Sequence, residues 1–228
     1  MKIYLDTADI ESIKSFKNSN IIKGFTTNPS LMRKSNINSY SKFIKKLTSI
    51  EKKKPISLEV ISDDQEEMYL QAKKISLMGS NLFIKIPITN SKGISSIKII
   101  KKLLEEGVNL NITAVFSKKQ IKSLVKLKSK NNYIVSIFCG RIADTCRDPQ
   151  SFINYAVKNK TVKCKVLWAS CREVLNIHQA LKSLADIITV DPEILRKYLA
   201  YKNYNLKQFS IETSRMFYND AKKSKFKI

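Results

Sequence analysis

The chain has 228 residues, with 42 Lys and Arg against 19 Asp and Glu and a formal net charge of +23. No apolar stretch approaches the ~20 residues of a membrane-spanning helix, and four cysteines without a CxxC pair plus a single histidine, His178, leave no zinc-ligand cluster. The lysines are spread over helix-like patterns rather than gathered in an arginine-rich or aromatic-interleaved patch, so a basic nucleic-acid-binding protein is only a remote alternative.

The N-terminus, MKIYLDTADI, enters a strand pattern at once, without a secretory signal, and a cytoplasmic location is expected. Strand patterns recur at residues 2–5, 22–26, 56–61, 82–86, 109–115, 133–138, 165–169 and 187–190, with helical patterns between them. Ser62, followed by Asp63-Asp64-Gln65-Glu66-Glu67, reads as an N-cap with an acidic first turn. Residues 94–106 are amphipathic and stop at Gly107, a good C-cap. Residues 117–128 and 172–184 read as similar helices, and a last helix spans about 206–222. About eight β-then-α units in this length predict a closed (β/α)8 TIM barrel, one domain over 1–228 with an extra C-terminal helix; a doubly wound open sheet is the runner-up. The apolar positions Leu206, Phe209, Met216 and Phe217 of that last helix need somewhere to pack, and a neighbouring subunit is one candidate.

In such barrels chemistry collects at the C-terminal ends of the strands. The polar residues there are Asp6, Thr26-Thr27-Asn28, Glu59, Lys85, Asn111, Thr113, Arg141, Ser170 and Arg172. Lys85 stands out, because it interrupts the apolar run Leu82-Phe83-Ile84-Lys85-Ile86-Pro87-Ile88, which reads as a strand buried on both faces. A solvated lysine has a pKa of about 10.4 and resists burial. Lys85 must snorkel out, meet a carboxylate such as Asp6 or Glu59, or give up its proton and become a nucleophile. Desolvation and nearby cations favour the neutral amine. Asp6 also reads as a cap for the turn after it, Asn28-Pro29 as a turn, and Arg141 and Arg172 as surface residues.

YLDTADI at 4–10, GFTTNPSL at 24–31, SLEVIS at 57–62, IKIPIT at 84–89, NITAVFS at 111–117, SIFCGRIAD at 136–144 and WASCRE at 168–173 together resemble the short-chain transaldolases and their relatives the fructose 6-phosphate aldolases. The resemblance runs over nearly the whole chain. It implies a (β/α)8 barrel, Schiff-base chemistry with no cofactor or metal, sugar phosphate substrates and a pentamer-based ring of identical subunits. It casts Lys85 as the Schiff-base lysine, Asp6 as the group handling the proton of the substrate C4 hydroxyl, and Glu59 as an acid/base acting through water. Thr26, Asn28 and Asn111 match the polar set around the dihydroxyacetone moiety. Arg141, Ser170 and Arg172 match the phosphate clamp. Phe138 lies where transaldolases have phenylalanine and the aldolases tyrosine, and the aldolases carry glutamine at the position of Glu59, so transfer is favoured over aldolase release of dihydroxyacetone. The chain departs from the family pattern at Ile137, Ala143, Glu173 and Asp191-Pro192, and the charge of Glu173 is expected to weaken a phosphate site beside Arg172.

Overall fold

The computed structural model describes residues 1–224. Strands β1 (Lys2–Asp6), β2 (Ile22–Thr26), β3 (Ile56–Glu59), β4 (Leu82–Pro87), β5 (Leu110–Val115), β6 (Tyr133–Ile137), β7 (Cys164–Trp168) and β8 (Ile187–Val190) are all parallel and lie in sequence order in a closed barrel. β1 pairs with both β2 and β8, which excludes the open sheet. The helices are α1 (Ile10–Phe16), α2 (Pro29–Lys34), α3 (Tyr40–Ile50), α4 (Gln65–Ser76), α5 (Ile97–Glu105), α6 (Lys118–Leu124), α7 (Cys139–Ala143), α8 (Gln150–Asn159), α9 (Leu175–Lys182), α10 (Pro192–Tyr201) and α11 (Leu206–Ser224).

The strand alternation explains where the core sits. On β4, Leu82, Ile84 and Ile86 are fully buried beneath the surrounding helices, and the alternate residues Phe83 and Lys85 point into the lumen. Tyr4, Ile134, Leu167, Ala169 and Ile187, with Phe83 and Phe138 packed against them, form an inner apolar plug distinct from the main core between barrel and helices. The run at residues 82–88 is therefore not buried alike on both faces. One face is packed by helices, and the other opens on a lumen that is polar in its upper half.

Helix starts differ from the sequence reading where local side chains compete for the backbone. Asp64, not Ser62, caps α4, accepting from the backbone N–H of Glu66 and Glu67. α5 begins three residues later than expected because Ser95 bridges back to Thr89. Asn176 Oδ1 accepts from the N–H of Arg172 and Glu173, so 172–174 stay outside α9. Asp191-Pro192 is an N-cap followed by proline in the first turn of α10.

Two seams of the barrel are short. β2 meets β3 only through Phe25↔Ile56 and Thr26↔Ser57, and β7 meets β8 only through Leu167↔Ile187 and Trp168↔Ile188. α11 is anchored at its start by the rings of Tyr201, Tyr204 and Phe209, whose centroids lie 5.3–5.5 Å apart. It buries no residue of its own.

Candidate active site

The inward positions near the C-terminal ends of the strands form a polar layer directly above the lower part of the plug (Tyr4, Phe83, Ile134, Leu167 and Ile187), while Ala169 and Phe138 continue the apolar cluster past the ends of β7 and β6. Counting two residues up each strand from Tyr4, Phe83, Ile134 and Ile187 gives Asp6, Lys85, Ser136 and Thr189. Glu59 is in register with Lys85, and Lys85 with Asn111. Six of the residues singled out from sequence (Asp6, Thr26, Asn28, Glu59, Lys85 and Asn111) meet in this layer or on its rim.

Lys85 has found a carboxylate. Its Nζ lies 2.8 Å from Glu59 Oε1, with both side chains largely buried at 13% and 8% exposure. It also donates to the backbone carbonyl of Thr27. The second Glu59 oxygen accepts from Thr27 Oγ1 at 2.7 Å, and Tyr40 OH donates to the Glu59 carbonyl at 2.7 Å, fixing the end of β3 against α3. The groups around the amine are thus carboxylates, not the cations considered from sequence.

Asp6 Oδ1 accepts from Thr26 Oγ1 at 2.6 Å, and Thr26 shares a 2.5 Å contact with Thr189. Burial pushes the Asp6 carboxyl above the usual aspartate range, against the pull of Lys85 and the Thr26 hydroxyl; Glu59 and Asp191 push it further up. The turn after β1 is capped by Asp9, whose carboxylate accepts from the N–H of Glu11 and Ser12, which leaves Asp6 free for the lumen. Asn28 follows β2 as a cap and also faces Asp6. Its Oδ1 caps α2 by accepting from Leu31 N–H at 2.9 Å, and its Nδ2 reaches Asp6 Oδ2 at 3.4 Å. Asn111 donates to Ser57 Oγ at 3.0 Å and accepts from Ser136 Oγ at 2.6 Å, so its amide plane is fixed.

The other four residues sit on the rim over β6 and β7. The Arg141 guanidinium lies 6.0 Å from the centroid of the half-buried Phe138 ring. Arg172 Nη2 donates to Asp144 Oδ2 at 2.8 Å, in a pair about half exposed on both sides. Asp144, rather than Glu173, is therefore the acid that engages Arg172. Ser170 adopts φ +61°, and Gly140 packs so closely beneath it that a Cβ would fall 1.7 Å from the Ser170 carbonyl oxygen. Ile137 is fully buried, and its carbonyl accepts from Ala169 N–H at 2.8 Å, so β6 pairs with β7 to its end.

Ser57, Ser136, Thr189, Tyr40 and Gly140 were not singled out from sequence, although with Thr27 they hold the candidate side chains in place. Strand parity carried a signal for three of them, since Ser57 and Ser136 lie two residues before Glu59 and Phe138, and Thr189 two before Asp191.

The sequence profile described as transaldolase/fructose-6-phosphate aldolase matches residues 3–228. The chain belongs to the transaldolase/fructose-6-phosphate aldolase family. It is 38% identical over 205 residues to a probable transaldolase of Nitrosopumilus maritimus, covering 88% of each chain. It is 35% identical over 215 residues to a probable transaldolase of Methanococcus vannielii, covering 93% of this chain and 94% of the relative. Among solved structures, 3-hexulose-6-phosphate synthase from Salmonella typhimurium superposes with a TM-score of 0.60 at 11% identity, over 86% of this chain and 91% of that one, a likeness of fold alone. Membership makes the chain an enzyme of the transaldolase family. No helix among the described residues is long and apolar enough to cross a membrane.

Proposed function

We propose that this enzyme is a transaldolase. In this reading it moves a dihydroxyacetone unit from sedoheptulose 7-phosphate or fructose 6-phosphate to an aldose phosphate through a Schiff base at Lys85, in the non-oxidative pentose phosphate pathway. The observation that carries the reading is the contact of Lys85 Nζ with Glu59 Oε1 in the same polar layer as Asp6.

The steps follow from those positions. A proton passes from Lys85 to Glu59, freeing the amine lone pair to attack the ketose C2 carbonyl. Glu59, now carrying that proton, gives it to the carbinolamine hydroxyl, which leaves as water. The resulting iminium accepts the electrons of the C3–C4 bond as Asp6 removes the C4 hydroxyl proton. A base stronger than an ordinary aspartate suits this step, and the raised pKa of Asp6 supplies one. The aldose phosphate departs, the three-carbon enamine stays on Lys85, and an acceptor aldehyde reverses the sequence. Arg141 and Arg172 hold the terminal phosphate by charge-assisted hydrogen bonds, which fixes C2 against the amine.

Phe138 favours transfer over release, because its ring offers no hydroxyl to protonate the enamine. Glu59 supports the same choice, since a glutamine there cannot carry a proton. The reading also places the enzyme in the cytoplasm as a pentamer-based ring, with α11 covered by a neighbouring copy.

Borohydride reduction in the presence of fructose 6-phosphate, followed by peptide mapping, tests the assignment. Label is expected on Lys85, and folded Lys85→Met is expected to lose turnover. Label elsewhere, or turnover in that variant, overturns it. Fructose 6-phosphate with erythrose 4-phosphate should give sedoheptulose 7-phosphate and glyceraldehyde 3-phosphate. Free dihydroxyacetone formed as fast without acceptor would make the protein an aldolase.

A further inference from the structure

A cavity of about 520 Å³ opens at the end of the barrel opposite the polar layer, where strands begin and helices end. This volume lies in the range of small-molecule sites. Its apolar wall includes Phe83, Ile134 and Ile187, the underside of the plug that supports the catalytic layer.

Three features mark it as more than a gap in packing. First, Tyr4 lines the cavity with only 3% of its surface exposed, and its hydroxyl, which makes no hydrogen bond to any described residue, opens on the cavity rather than being sealed in the core. Burial pushes the phenol up to about 12, so the oxygen keeps its proton and stands as a donor. Gly24 makes the ring position possible, because a Cβ there would lie 2.6 Å from Tyr4 Cζ. Second, Leu184 stands on the rim at φ +57° and 71% exposure, directly after the cap of α9. That position usually takes glycine, and a left-handed leucine is strained there. An exposed leucine recovers little of this from the protein itself, whereas apolar cover over a bound molecule would offset it.

Third, the charge at the mouth is positive and partly uncommitted. Helix C-termini point to this face and favour cations. Lys54 and Lys163 there already donate to loop carbonyls. Lys2 lines the cavity, and its ammonium makes no hydrogen bond among the described residues. Lys165 lines the same mouth and, among the described residues, is held only by the Val162 carbonyl at 2.9 Å. The one acid of the lining, Asp186, is neutralised by Lys160 at 2.5 Å and accepts from Val166 N–H at 2.7 Å.

We propose that this cavity binds a small organic anion. Its carboxylate meets Lys2 and Lys165, its flat apolar body lies on Phe83, Ile134 and Ile187, and an oxygen at its far end accepts from Tyr4. The site is separate from the sugar phosphate site and does not depend on the reaction assigned to it.

The test is calorimetric titration of the full-length protein with 4-hydroxybenzoate, with benzyl alcohol and inorganic phosphate as controls. Saturable binding of 4-hydroxybenzoate alone is expected, unchanged in Lys85→Met and unchanged by excess fructose 6-phosphate. Reversing both charges, Lys2→Glu with Lys165→Glu at exposed or half-exposed positions, is expected to weaken binding by about tenfold or more. Tyr4→Phe is expected to weaken it severalfold. No saturation, equal affinity in the charge-reversed variant, equal binding of phosphate, or displacement by fructose 6-phosphate would each overturn the proposal.

Discussion

An alanine at position 140 would set its Cβ 1.7 Å from the Ser170 carbonyl oxygen and 2.9 Å from Arg172 Cγ. Ordinary carbon–oxygen contact requires the carbonyl to retreat by more than about 1 Å. Helix propensity points the other way, because glycine to alanine gains about 1 kcal/mol inside a helix. Overpacking of a filled site costs ~1–3 kcal/mol and wins, all the more because the obstacle is backbone and Ser170 already sits at φ +61°. Gly140→Ala is therefore destabilising, but its larger effect is on geometry. The segment that must move carries Ser170 and Arg172, the proposed phosphate ligands, and a displacement near 1 Å in a positioning group costs about a hundredfold in rate. The assay is kcat/KM for fructose 6-phosphate beside that for unphosphorylated dihydroxyacetone, with Tm measured on the same preparation. A large loss confined to the phosphorylated substrate is expected. Wild-type kinetics, or equal losses with both donors, would refute the view that this close approach positions the phosphate arginines.

Asp6→Asn removes the proposed base and should abolish C–C cleavage. Because burial raises the Asp6 pKa above 3.8 in the folded chain, the native state holds that proton more tightly than the unfolded state. The resulting stability is present below 3.8 and is lost as pH rises through the folded value. The variant should therefore melt above wild type at neutral pH, the gap closing in acid; a lower Tm at neutral pH contradicts the linkage. Arg172→Ala should weaken phosphorylated substrates by ~1.5–3 kcal/mol while changing Tm little, since half-exposed pairs such as that with Asp144 contribute ~0–1 kcal/mol. Asp144→Asn should tighten the same substrates, and unchanged KM in both variants would remove Arg172 from the phosphate site. Truncation after Asn205 deletes α11 and should lower the sedimentation coefficient by more than the lost mass accounts for; the same oligomer in both forms would show that α11 covers no neighbour.

The barrel and its nucleophile candidate were legible for one physical reason. Period-two strands alternating with amphipathic helices leave few closed arrangements, and a lysine within an apolar strand of a parallel barrel has few places to go. Asp6 and Glu59 were legible by position, as the only carboxylates at strand ends in the first half of the barrel. Ser57, Ser136 and Thr189 were harder to see, because small hydroxyl residues are ordinary in strands and gain meaning only when the closed lumen brings them together. Gly140 could not be read at all. The contact that demands glycine is with Ser170, on a different strand's loop. The helix starts near 62, 94 and 172 were misplaced because capping by Asp64 and Asn176 and the Thr89–Ser95 bridge are contests among neighbours that periodicity does not register.

The two short seams divide the barrel into a three-strand arc, β8-β1-β2, and a five-strand arc, β3 to β7. Asp6 belongs to the first, while Glu59 and Lys85 belong to the second. What rivets the arcs at the β2–β3 seam is Thr27, whose hydroxyl holds Glu59 and whose carbonyl receives Lys85. An amine converted to an iminium has fewer N–H groups left to give that carbonyl. Under the proposed Schiff-base mechanism, each turnover would unfasten and refasten one rivet between the half of the molecule assigned the proton and the half assigned the carbon. Amide hydrogen exchange at Phe25 and Thr27, which donate across this seam to Pro55 and Ser57, would report the catalytic cycle as a mechanical one.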